Sequence, residues 1–190
     1  MTRLAVFASG TGSNYDAIIE ATENGTLEAE VSLLVCDKPN AKVVEKAKQN
    51  GTPAFVFDSK QYRNKQMFEA KIVEVLQTEK IDWVILAGYM RLIGDTLLQP
   101  FEGKIINIHP SLLPSFPGLD AIGQAFDAGV KVSGVTVHYV DSGMDTGKII
   151  AQQAVDVEDG MTREELQKAI QQVEHQLYPA TIQKLITRGE

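Results

Sequence analysis

One cysteine among 190 residues excludes an intrachain disulfide and any zinc site built on cysteine pairs. That residue, Cys36, follows a mostly apolar segment, residues 31–35, and reads as a small buried hydrophobe rather than a nucleophile. No run approaches the roughly 18 consecutive apolar residues of a membrane span. Met1-Thr2-Arg3-Leu4 leads directly to polar Ser9, Thr11, Ser13 and Asn14 instead of a signal-peptide core, so a cytoplasmic protein without membrane contact is expected. Positive charge is also short: 18 Lys and Arg against 25 Asp and Glu give a net charge of -7. Nonspecific nucleic-acid binding needs a basic face to displace counterions from phosphates, and nucleic-acid partners are therefore not expected. Repeats, low-complexity tracts and linkers are missing too, and one domain over residues 1–190 with 44% hydrophobic content has enough apolar material for one core.

What is present is a regular alternation. Residues 4–8 and 31–35 read as buried strands, and residues 14–23 and 41–50 as helices, the second ended by Gly51. Residues 54–57 make a short strand, residues 64–79 a helix with Met67, Ile72, Val75 and Leu76 on its apolar side, and residues 83–87 a continuous apolar strand. Continuous apolar strands separated by helices indicate a parallel sheet covered on both faces. After His109 the pattern changes. Residues 118–128 read as a helix, but 133–140 and 148–157 are β-rich runs joined by a loop of about seven residues, which predicts antiparallel strands added to the parallel core. A last helix begins at Thr162, with Glu165 completing a capping box. Its apolar stripe is Leu166, Ile170, Val173 and Leu177, and Pro179 is predicted to kink or interrupt it. The fold class is α/β: a single-domain, Rossmann-like open twisted sheet, parallel in its N-terminal half, with antiparallel strands in the C-terminal half and helices on both faces.

The run Ile105-Ile106-Asn107-Ile108-His109-Pro110-Ser111-Leu112-Leu113-Pro114 carries the most chemistry. Side chains alternate along a strand, so Asn107 and His109 face the same way, about 6.6 Å apart. Pro110 cannot donate to a sheet ladder, which places the pair at the strand's C-terminal end, where open parallel sheets bind ligands. From residue type alone the pair can equally serve to satisfy loose backbone groups. Pro110, Pro114 and Pro117 cluster beside it, and a cis bond is expected at Leu113-Pro114. Upstream, Ser9-Gly10-Thr11-Gly12-Ser13-Asn14 follows the first strand and opens the first helix, where free N–H groups and the helix dipole suit an anion. A dinucleotide fingerprint would need glycine at position 15; Tyr15 disfavours an NAD site. Asp141 and Asp145 share a loop with Gly143, and by type either could simply form a turn.

Asn107-Ile108-His109-Pro110-Ser111-Leu112-Leu113-Pro114, then Phe116-Pro117-Gly118, then Asp141-Ser142-Gly143-Met144-Asp145-Thr146-Gly147, together resemble the folate-dependent formyltransferases, in particular the branch acting in purine synthesis. The resemblance runs from Ala8-Ser9-Gly10 to Tyr178-Pro179. It implies transfer of formyl from 10-formyltetrahydrofolate, a co-substrate, to the amine of glycinamide ribonucleotide (5-phosphoribosylglycinamide), with no metal. Residues 1–100 would form the phosphate-binding half, residues 83–150 the catalytic and folate-binding elements, and residues 162–187 the C-terminal helix. Matching the family's pattern selects Asp145 over Asp141 as the catalytic aspartate. Asn107 would donate to the oxyanion, protonated His109 would stabilise it, and Asp145 would support that histidine and hold a proton-relaying water.

The same resemblance implies that the acceptor phosphate meets Thr11, Gly12, Ser13 and Asn14, and that Glu174 with Gln171 meets the acceptor's amine or ribose. From spacing alone these two form the polar flank of a helix. Leu86, Met90, Arg91, Leu92, Ile93, Val140 and Asp141 would form the folate side, with backbone groups near Arg91 and Leu92 reading the pterin edge and the Arg91 side chain facing the benzoyl-glutamate. Arg63 is a possible further cation, with a solvated role as the alternative, and His138 either a hydrogen-bonded structural histidine or part of the site. Lys148 stands where the family usually has proline, which leaves the loop exit less rigid. Net negative charge with anionic substrates implies attraction by local dipoles and a few cations. A formyltetrahydrofolate hydrolase would use the same three residues with water as acceptor, methionyl-tRNA formyltransferase would need a further C-terminal domain, and a silent nucleotide-binding module would explain the loop but not the triplet. Whether the chain is a monomer or a homodimer is left open.

Overall fold

Strand β1, Thr2–Phe7, is apolar on both sides: Leu4 and Val6 belong to one core, Ala5 and Phe7 to another. Such a strand needs helices over both faces. In this computed structural model, which describes residues 1–189, the sequence continues with α1 (Ser13–Glu23), β2 (Ala29–Cys36), α2 (Lys42–Gln49), β3 (Ala54–Val56), α3 (Lys65–Thr78), β4 (Trp83–Leu86), α4 (Asp95–Leu98), β5 (Ile105–His109), α5 (Ala121–Asp127), β6 (Val132–Tyr139), β7 (Ile149–Asp156) and α6 (Arg163–Arg188). The strands form one sheet in the order β3-β2-β1-β4-β5-β6-β7. Pairing is parallel from β3 through β5 and antiparallel from β5 through β7, giving the mixed sheet expected from sequence.

Alternation along the strands divides the interior. On one face Tyr15 and Ile18 of α1, Val43 of α2 and Leu166, Ile170, Tyr178 and Ile182 of α6 pack on Leu4, Val6, Ile85 and Ile106. On the other, Phe68, Ile72 and Leu76 of α3 and Leu97 of α4 cover Ala5, Phe7, Val84 and Ile105. Tyr178 is fully buried, and burial raises its pKa well above the usual phenol value, so it remains a donor; its hydroxyl lies 2.8 Å from the Leu86 carbonyl and 3.2 Å from that of Ile106, tying α6 to the end of β4 and to the first half of β5.

Most boundaries fall within two residues of the sequence reading, and the departures have local causes. α5 starts at Ala121 rather than 118, because Phe116, Gly118 and Asp120 take φ of 52°, 81° and 53°, which a right-handed helix cannot include. The Thr162 capping box forms, with Glu165 N–H donating to Thr162 Oγ1 at 3.2 Å and Thr162 N–H to Glu165 Oε2 at 2.7 Å. Of the kink or interruption expected at Pro179, the interruption is absent: α6 runs unbroken to Arg188, because Tyr178, Ile182 and Leu185 on either side are held in the core. The β6–β7 connection is longer than about seven residues, spanning 140–148. Leu113-Pro114 is cis, as expected. No helix among the described residues is long and apolar enough to cross a membrane.

From β1 the chain moves outward to β2 and β3, then returns to β4 and β5 on the other side. The strand order therefore reverses beside β1, and the crevice beyond the C-terminal ends of β1, β4 and β5 is where such a sheet accepts a ligand.

Candidate active site

A cavity of about 480 Å³ occupies that crevice and brings together Asn14, Asn107, His109, His138, Asp145 and Glu174. A larger, shallower groove of about 770 Å³ lies between α1 and α6 but holds none of the β5 polar residues.

β5 supplies the centre. Its register sets Asn107 opposite His138 and His109 opposite Thr136 on β6. His109 is 5% exposed, and its Nε2 lies 2.8 Å from the Phe116 carbonyl oxygen, which can only accept, so Nε2 carries hydrogen. Nδ1 of the same ring lies 3.5 Å from Asp145 Oδ2. Asp145 is fixed from the other side by the Gly118 N–H, which donates to Oδ2 at 2.8 Å. Two loops, before α5 and after β6, thus meet on this one carboxylate.

His138 has a defined tautomer by the same reasoning. Its Nδ1 lies 2.8 Å from the Tyr139 carbonyl and must be the donor. Burial lowers its pKa, the Tyr139 contact and Asp145 acting the other way, and in the neutral ring Nε2 accepts from Asn107 Nδ2 at 3.2 Å. That contact fixes which end of the Asn107 amide is nitrogen and leaves its second N–H available to the cavity. Asp141 lines the same cavity but also organises its own loop: Thr146 Oγ1 donates to Oδ1 at 2.6 Å and Gly143 N–H at 3.0 Å, which hold its carboxyl below the usual range. At the loop's base a side chain on Gly147 would lie 1.6 Å from the Tyr139 carbonyl, so only glycine fits.

At the other end of the cavity α1 begins. Gly12 is its N-cap at φ 77°, and a Cβ there would sit 2.6 Å from Val43 Cγ2. No side chain caps this helix start, and the N–H groups of Ser13, Asn14 and Tyr15 have no acceptor among the described residues. Of the expected phosphate residues, Asn14 lines the cavity with its buried Oδ1 unpartnered, Ser13 faces the adjoining groove and Thr11 is exposed. Arg63 is exposed and does not line the cavity.

Gln171 and Glu174 both reach the cavity from α6. Glu174 is 8% exposed rather than solvated, and burial pushes its carboxyl up to about 7, with Asn14 pulling in the opposite direction. A carboxyl whose folded pKa lies above its unfolded value favours the folded state while protonated and loses that contribution as pH rises from about 4.5 to about 7. Glu174→Gln is therefore expected to flatten the pH dependence of stability over that window and to stabilise the protein at pH 8 by up to roughly 3 kcal/mol. Urea unfolding at pH 5 and pH 8 checks this, and an unchanged slope with pH would rule it out. The spacing of Arg163, Gln167, Gln171 and Glu174 is helical, and all four line the cavity; Arg163 and Gln167 were missed from sequence although the same periodicity marks them.

The residues expected on the folate side lie together. Leu86, Met90, Arg91, Leu92, Ile93 and Val140 line one wall, with Met90 59% and Leu92 50% exposed, leaving apolar surface uncovered. The Arg91 side chain departs from expectation: its Nε donates to Asp37 Oδ2 at 2.7 Å and one of its NH2 groups to Ser59 Oγ at 2.7 Å, so the guanidinium is engaged within the protein. Among the described residues no group of three or more His, Cys, Asp or Glu side chains is placed to hold a metal ion.

An imidazole, a carboxylate and an amide converge in one cavity beside a helix N-terminus, an arrangement of donors and acceptors suited to acid–base chemistry next to an anion. A family model described as formyl transferase matches residues 2–182, and the chain belongs to that family. It is 55% identical over 193 residues to the phosphoribosylglycinamide formyltransferase of Bacillus subtilis, covering 100% of this chain and 99% of that protein. It is 41% identical to the human trifunctional purine biosynthetic protein adenosine-3, of which it spans 18%. Among solved structures, phosphoribosylglycinamide formyltransferase from Bacillus halodurans superimposes with a TM-score of 0.96 at 56% identity, covering 100% of this chain and 97% of that one. Glycinamide ribonucleotide transformylase 1 from Geobacillus kaustophilus gives 0.95 at 59% identity, covering 97% and 98%.

Proposed function

We propose that the chain is a phosphoribosylglycinamide formyltransferase, moving the formyl group of 10-formyltetrahydrofolate to the amine of glycinamide ribonucleotide, both freely diffusing cytosolic small molecules. The observation that carries this is the convergence of Asn107, His109 and Asp145 in a cavity that Asn14, from the uncapped first turn of α1, also lines. The acceptor phosphate sits on the α1 amides and the amine reaches the cavity centre past Asn14 and Glu174. The pterin lies against Met90, Leu92 and Val140.

The neutral amine nitrogen attacks the formyl carbon, forming a C–N bond while the carbonyl electrons move to oxygen. Asn107 donates its free N–H to that oxyanion. His109 supplies the second donor by exchanging the Phe116 carbonyl for the oxyanion, which requires the loop around Phe116 to give way. Asp145, opposite Nδ1, supports the cationic ring and orients a water that takes the amine's proton to the departing folate nitrogen. The C–N bond to folate then breaks and the carbonyl reforms. His138 keeps the Asn107 amide the right way round.

The deciding assay follows tetrahydrofolate release with and without glycinamide ribonucleotide. Release that depends on the amine is expected. Equal release without it identifies a hydrolase, and no release in either case a binding module. In addition, phosphate or sulfate added to crystals is expected at the amides of residues 11–14, since that helix start has donors without acceptors; the acceptor's phosphate bound elsewhere would remove this part of the assignment.

A further inference from the structure

Asp37, the residue after β2, is 5% exposed and faces no part of the cavity, yet both of its carboxylate oxygens are engaged. Ser9 Oγ donates to Oδ1 at 2.5 Å and Arg91 Nε to Oδ2 at 2.7 Å. The same Ser9 oxygen accepts the Met90 N–H at 3.0 Å, and the Ser9 N–H donates to the Gly88 carbonyl at 3.0 Å. Arg91 is held a third way, its guanidinium 5.5 Å from the centre of the Phe68 ring. Ser9 opens the loop that leads into α1, and Met90 and Arg91 belong to the loop after β4. The two loops emerge from adjacent, directly paired strands. Asp37 thus fastens both, and a charge so deeply buried tolerates little movement of the groups that satisfy it.

We propose that Asp37 is a positioning residue that locks the loop entering α1 to the loop at residues 88–93, so that the phosphate-bearing acceptor and the formyl donor each bind more tightly when the other is present. A ligand that shifts one loop shifts the other through Asp37, so each ligand selects the arrangement of both loops that the other also fits. The proposal rests on the assignment above of phosphate to the first loop and folate to the second. Asp37 touches neither ligand.

The test is calorimetric titration with tetrahydrofolate, which carries no formyl group and cannot react, in the absence and presence of saturating glycinamide ribonucleotide. In the wild-type protein the acceptor is expected to tighten tetrahydrofolate at least about fivefold, within the usual range of coupled sites. Asp37→Asn, which keeps the shape but not the charge, and Ser9→Ala, which leaves the Asp37–Arg91 pair in place, are each expected to reduce that factor below about twofold. In both, KM for each substrate should rise by a larger factor than kcat falls. Unchanged coupling in folded Ser9→Ala protein overturns the proposal whether or not Asp37→Asn folds, and so does tetrahydrofolate binding to wild type without coupling. Failure of wild type to bind tetrahydrofolate at all would remove the functional assignment as well.

Discussion

Asparagine in place of Asp145 is expected to lower kcat by about 10²–10⁴-fold, the range for loss of positioned acid–base support. The substitution should leave the fold intact. Asp145 has φ 54°, a conformation asparagine also tolerates, and an amide oxygen can still accept the Gly118 N–H now bonded to Oδ2. What disappears is the negative charge 3.5 Å from His109 Nδ1 and 3.8 Å from His138 Nε2. The expected kinetic form is a fall in kcat with KM for both substrates changed far less, because the charge acts on the transition state and not on either ligand's anchoring groups. Steady-state kinetics alongside thermal unfolding test this. Near-normal kcat in a protein that melts at the wild-type temperature would dismiss Asp145 from the chemistry.

Asn107→Ala carries the second large effect, a drop in kcat of about 10²–10³-fold, or about 2.7–4 kcal/mol, as for loss of one oxyanion donor. Asn107 is only partly buried, so alanine leaves no sealed cavity, and its partner His138 keeps the Tyr139 hydrogen bond. The arrangement also fixes a pH dependence. Protonation of His138 puts a hydrogen on Nε2, opposite the Asn107 NH2 group; two donors then face each other and the amide must turn, withdrawing its N–H from the oxyanion. Burial lowers the His138 pKa, while Tyr139, Asp145 and Asp141 raise it and His109 lowers it, for a net downward shift. Activity is therefore expected to fall on the acid side, below the ordinary histidine range. His138→Gln, whose amide oxygen accepts without titrating, should lessen this fall at some loss of maximal rate. A profile of kcat against pH that keeps the same acid limb in the variant would assign that limb to another group.

Much of this site could be read from the chain because its signals are local. Period-two alternation put Asn107 and His109 on one face, Pro110 marked the strand's end, and two glycines marked the start of a helix that no side chain caps among the described residues. The parallel core was legible from continuous apolar runs, and the antiparallel addition from two β-rich runs too close together for a crossover. What escaped depends on distant partners or unusual backbone. Asp37 looks like an ordinary residue at a strand's end, and its burial makes sense only with Arg91, 54 positions later. The His138 tautomer follows from its cross-strand register with Asn107, which no single segment reveals. α4 and the 3-10 turns at Ser59–Gln61 and Gln99–Phe101 are too short for periodicity to show. The late start of α5 reflects left-handed Phe116 and Asp120, residue types that seldom signal that conformation. Pro179 does not end α6 because helix propensity is outweighed by core packing on both sides of it.

The pairing of β5 with β6 bears on which chain-length changes this protein can survive. Asn107 sits opposite His138 and His109 opposite Thr136, with side chains reversing face at every step. One residue inserted within either strand would turn every later side chain of that strand to the opposite face, sending the imidazole of His138 into the helix layer or the amide of Asn107 away from the cavity. An inserted pair would restore the facing and shift the partners along by one place. Length in the connection from 110 to 131 is free of this constraint, since it returns to the sheet wherever β6 begins. Parity, rather than length itself, is what β5 and β6 preserve.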